Sequence, residues 1–166
     1  MKPIILLDVD GVLNPKVHRG DGDRPDLHLS DAKVALVRRL ATKGRIAWVT
    51  TSPADVVAGL DAQLELDVEP LRVKVEMRDS DAEEPTPKLS SVARWLERME
   101  ASGEADWDSV VWIDDVLGPD VHDWAHHLNQ PVLLEKPVPE QGLTEAHVVA
   151  VQVFIDGGKR RKTDSL

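Results

Sequence analysis

PIILLDVDGVLN, residues 3–14, begins as an apolar run that leads into two aspartates, Asp8 and Asp10, and a glycine, Gly11. The stretch from Pro3 to Val9 reads as a buried strand that closes on carboxylates. Residues 11–29, rich in Gly, Pro, Asp and His, read as a loop or small flap. Ser30 is a fitting N-cap for a helix that turns Val34, Val37 and Leu40 inward and stops at Gly44. RIAWVT, residues 45–50, is the next strand, and Ser52-Pro53 with Asp55 opens another helix. Leu71 to Met77 reads as a third strand, and residues 79–87 as an acidic, proline-containing loop. Thr86-Pro87 then caps a helix whose Leu89, Val92, Ala93 and Leu96 share one face.

Beyond it come a strand from Ser109 to Ile113 ending in Asp114-Asp115, a helix near 119–128, a strand from Val132 to Glu135 and a helix from Thr144 to Ile155. Strands alternating with helices imply an α/β domain: a Rossmann-like three-layer sandwich around a mainly parallel sheet with right-handed crossovers. Residues 1–156 are expected to form one domain, with 157–166 a polar, basic tail outside it.

Composition narrows the function classes. The 166 residues are 42% hydrophobic and 30% charged, as a folded globule should be, and carry a net charge of −10. That acidity argues against coating nucleic acid through bulk charge, though not against a local basic groove. Without cysteine there is no disulfide frame, thiolate metal site or Cys nucleophile, and a reducing cytoplasm fits. The apolar start is too short for a signal peptide, and no apolar run is long enough to span a bilayer.

In parallel sheets of this kind ligands bind outside the carboxyl ends of the strands. Asp8 with Asp10, Thr50 with Thr51, and Asp114 with Asp115 should therefore meet at one edge. Several carboxylates there repel one another unless a cation or a shared proton intervenes. Hard oxygen donors favour Mg²⁺ over zinc. A hydroxyl at Thr50 and an ammonium at Lys88, near a helix start, suit the oxygens of a phosphate. The set reads as a phosphoryl site in which Asp8 can act as a nucleophile.

These residues, in order, resemble the four motifs of the haloacid dehalogenase-like (HAD) superfamily: DVDGVLN (8–14), the strand ending in Thr50, Lys88 at a helix start, and the strand ending in Asp114-Asp115. More narrowly, DVDGVLNP, WVTTSP, VVWIDD and the late GLT (142–144) resemble the HAD domain associated with bacterial RNA-repair proteins, with Ser52 where a Trp is expected. The resemblance implies a Mg²⁺-dependent phosphatase. Asp8 would be phosphorylated and Asp10 would act as general acid and base. The metal would be held by the Asp8 carboxylate, the Asp10 backbone carbonyl and Asp114, with Asp115 as a second ligand or an orienting group. Thr50 and Lys88 would hold the phosphoryl group, Gly11 and Thr51 would join the substrate-binding set, and Asp10 argues against a dehalogenase while leaving hydrolase and mutase open.

Neither the segment from Asn14 to Ser30 nor that from Ser52 to Lys88 has room for the cap domain that the family often carries, so a capless core is expected. An open site suits a bulky phosphorylated substrate such as a nucleic-acid end or a nucleotide. Lys16, His18, Arg19, Arg24 and His28 offer the best local basic patch for one. The acidic run at 79–84 counts against RNA. The rival reading is a non-catalytic module that binds metal or a protein partner. An EF-hand reading of DVDGVL fails for want of the later ligands. His122 and His126 are more simply a solvated helix face, and of the five tryptophans only Trp48 lies close enough to Thr50 to be a stacking candidate.

Overall fold

The computed structural model describes residues 2–14 and 28–164, and among them the chain forms a five-stranded parallel sheet with helices on both faces. The elements run β1 (Lys2–Leu7), α1 (Asp31–Lys43), β2 (Arg45–Trp48), α2 (Ala54–Leu64), β3 (Leu71–Arg72), α3 (Leu89–Ala101), β4 (Trp107–Ile113), α4 (Pro119–His127), β5 (Val132–Glu135) and α5 (Glu145–Asp164). Their order across the sheet is β3-β2-β1-β4-β5, so the winding reverses at β1. This is the α/β, Rossmann-like core anticipated from the alternation of apolar runs.

β1 is central because both its faces are apolar. Ile5 and Leu7 face a core built with α1, α2 and α5, through Val37, Leu40, Val57, Leu60, Val148 and Val151. Ile4 and Leu6 face a second core built with α3 and α4, through Val92, Trp95, Leu96 and Val121. Each fully buried aliphatic side chain contributes about 1.5–3 kcal/mol relative to exposure, so a charge on either face would be costly. Register aligns the carboxyl ends: Leu7 pairs with Trp48 on one side and with Ile113 on the other. Ser30 caps α1, its Oγ accepting from the Lys33 N–H at 3.2 Å.

Three elements depart from the sequence reading. β3 pairs over Leu71–Arg72 only. Further on, the backbone turns to α3: the Glu76 N–H donates to Ser91 Oγ at 2.9 Å, and the Ser91 hydroxyl donates back to the Glu76 carbonyl at 3.2 Å. α3 begins at Leu89 with Lys88 in the capping position and no side-chain cap, because the Thr86 hydroxyl is engaged elsewhere. The last helix, expected to stop at Ile155 ahead of a loose tail, continues to Asp164.

The Ser52–Lys88 segment supplies α2, β3 and a loop with one 3-10 turn (Asp81–Glu83). Among the described residues no helix is long and apolar enough to cross a membrane.

Candidate active site

The sheet positions the first two acidic groups. The Asp8 N–H donates to the Ile113 carbonyl at 3.1 Å and the Asp114 N–H to the Glu135 carbonyl at 3.1 Å, so both residues extend the ladder beyond the strand ends. Their side chains are buried, Asp8 at 3% and Asp114 at 1% exposure. Lys88 reaches between them from the start of α3. Its Nζ donates to Asp8 Oδ1 at 2.7 Å, to Asp114 Oδ2 at 3.2 Å and to the Val49 carbonyl at 3.2 Å. An ammonium has three N–H donors, and here all three have acceptors. The Val49 carbonyl, just past β2, carries no signal in the sequence.

One oxygen each from Asp8, Asp114 and Asp115 lie within 4.8 Å of one another. A single ammonium does not offset this much buried negative charge. Burial, with the Asp114 carboxylate beside it, pushes the Asp8 carboxyl up to about 8 despite Lys88. Burial likewise raises Asp114. For Lys88 burial works against the charge, but Asp114 and Asp8 outweigh it and hold the ammonium above its ordinary value. Buried, all-oxygen donors with surplus negative charge fit a hard divalent cation.

Asp10 is placed differently. It is exposed and its carboxylate lies outside that group, on a turn in which the Val12, Leu13 and Asn14 N–H groups all donate to the Val9 carbonyl. Gly11, at φ +81°, presses this turn against Asp115, where a Cβ would lie 2.4 Å from Oδ2. Gly11→Ala should therefore cost stability through both strain and contact, by about 1–3 kcal/mol. Urea denaturation reads this directly, and a variant as stable as the parent would contradict the contact.

The opposite side of the turn is held by GLT. The Leu143 N–H donates to the Val12 carbonyl at 2.7 Å, and Gly142, at φ +69°, leaves room for that carbonyl. Lys33 Nζ fixes the same loop through the Gln141 carbonyl at 2.8 Å and the Leu143 carbonyl.

Thr50 is buried. Its hydroxyl accepts from the Ser52 N–H at 3.0 Å and meets Ser52 Oγ at 3.1 Å, while Thr51 is exposed. Of the basic residues expected to face substrate, Lys16, His18, Arg19 and Arg24 fall outside the described residues, and His28 is exposed. Trp48 is no stacking platform: it is fully buried and donates from Nε1 to Asp61 Oδ1 at 2.8 Å. His122 and His126 lie exposed on α4.

Residues 4–148 match the family described as the HAD domain in Swiss Army Knife RNA repair proteins. The chain belongs to this family. No curated protein and no solved structure matches it. As a HAD domain it is of the hydrolase type, and its Asp8, Asp114 and Asp115 cluster is compatible with the divalent metal that such domains usually use.

Proposed function

We propose that this HAD domain is a Mg²⁺-dependent phosphatase that hydrolyses a phosphate monoester through an aspartyl-phosphate on Asp8, on nucleic-acid or nucleotide phosphate ends. The observation that carries the reading is the Lys88 ammonium shared between Asp8 and Asp114 at the carboxyl ends of the two central strands. It marks the point where negative charge is gathered and only partly answered, at the edge where such sheets bind ligands.

Asp8 attacks phosphorus. A bond forms from its carboxylate oxygen as the bond to the leaving oxygen breaks, and Asp10, on the solvent side, gives that oxygen a proton. In the second step Asp10 takes a proton from water, whose oxygen attacks the phosphorus and releases Asp8 and inorganic phosphate. Lys88 and the Thr50 hydroxyl hold the phosphoryl oxygens, and Gly11 and Thr51 line the approach. The carboxylates of Asp8, Asp114 and Asp115, with the Asp10 backbone carbonyl, would hold the metal. Bound there, Mg²⁺ would supply the positive charge that keeps Asp8 ionised and neutralises the phosphoryl group.

The substrate class is supported by the repair proteins named in the family description. Steady-state rates on 3′- and 5′-phosphorylated RNA oligonucleotides, nucleoside monophosphates and sugar phosphates test it. The expected result is a kcat/KM at least about tenfold higher for oligonucleotide ends, abolished by chelator. Preference for sugar phosphates would remove the nucleic-acid part. No phosphate release from any of them would leave the non-catalytic reading standing.

A further inference from the structure

Lys88 lies on the segment entering α3, and Asp114 and Asp115 on the segment leading into α4, with no sheet ladder joining the two. Thr86 joins them. Its hydroxyl donates to Asp120 Oδ1 at 2.6 Å and its oxygen accepts from the Gly118 N–H at 2.7 Å, while its own N–H donates to Asp120 Oδ2 at 3.1 Å. Thr86 is 2% exposed, so these bonds are shielded from competing water. The segments are also in close apposition, since a Cβ on Gly118 would lie 2.5 Å from Pro85 Cβ.

We infer that Thr86, bonded to Asp120 and Gly118, is the positioning residue that sets the Lys88 ammonium against the Asp114 and Asp115 carboxylates. The inference rests on the phosphatase reading of that site. Thr86 stands two positions before Lys88, and Gly118 follows Asp115 closely, so each bond acts within a few backbone links of a site residue. The hydroxyl is needed as donor and acceptor together. Valine has the same shape and offers neither, whereas serine keeps both.

The test compares Thr86→Val with Thr86→Ser in the full chain by two readouts: kcat on a phosphorylated oligonucleotide, and the Mg²⁺ concentration that gives half of the metal-induced rise in Tm. Groups that orient metal ligands typically change affinity or activity by about 10–100-fold when lost. Thr86→Val should lower kcat and raise the Mg²⁺ half-point within that range, with KM nearly unchanged, and Thr86→Ser should restore both. A merely structural bond would lower Tm in chelator and leave the Mg²⁺ half-point where it was. Should Thr86→Val not fold, Asp120→Asn carries the test, with the same direction expected. A folded Thr86→Val with parental kcat and half-point overturns the inference. If the parent gains Tm with Mg²⁺ yet hydrolyses nothing, the catalytic reading fails while the half-points still decide the role of Thr86. A parent that responds to neither sinks both.

Discussion

Asp8→Asn should abolish phosphate release, with turnover down by about 10⁴-fold or more, as expected when the attacking group itself is removed. The same substitution should not weaken the metal-free fold at pH 8. The Asp8 carboxyl is held up to about 8 in the folded chain, chiefly by burial. A folded-state value above that of the unfolded chain means that its contribution to stability is present at low pH and lost as pH climbs towards 8. The parent in chelator should lose Tm between about pH 5 and 8, and Asp8→Asn, which cannot ionise there, should lose less. Activity assays paired with Tm measured across pH check both halves. Retained turnover in Asp8→Asn would end the covalent mechanism, whatever the fold does.

Lys88→Met should produce the largest loss of stability of any single change at the site. Its side chain is only 16% exposed and its ammonium is the cation bonded to both Asp8 and Asp114. Removing one partner of a buried ion pair typically costs about 3–5 kcal/mol, because the remaining charge is left without compensation. Here the loss should be greatest at pH 8 and smaller near pH 5, where Asp8 can take up a proton instead. Urea denaturation in chelator at the two pH values measures the difference, and added Mg²⁺ should recover part of it. Activity should fall by about 10²–10³-fold, the range for losing one donor to a developing anion. Parental stability at pH 8 would show that the ammonium is not the counter-charge that its contacts imply.

Asp8 and Asp114 were legible from the sequence because each ends an apolar run, and a parallel sheet brings such ends to one edge. Lys88 was legible as a cation at a helix start and as the third of the four ordered motifs. Its contact with the Val49 carbonyl depends on strand adjacency that no local pattern encodes. Thr86 was misread for a general reason. A Thr-Pro pair before a helix satisfies the rule for a cap, but a hydroxyl goes to whichever partners the tertiary fold brings near, here Gly118 and Asp120. The length of β3 failed similarly. Leu71, Val73 and Val75 alternate with charged residues as a strand should, yet Ser91 on α3 takes the backbone groups of Glu76 that an extended ladder would need. Trp48 looked close to the site in sequence, but it is buried in the core with Ile5, Leu7 and Ile46, and Asp61 satisfies its N–H.

The strand order has a consequence for synthesis. Asp8 is made 80 positions before Lys88, and Lys88 a further 26 before Asp114, while β1 must wait for β4 to occupy its second side. Contacts so distant along the polypeptide form late, since chain entropy must be surrendered before they return anything. A nascent chain therefore carries a half-paired central strand until β4 has been made. The cluster of Asp8, Asp114 and Asp115 can assemble only once β4 and the residues after it have been made.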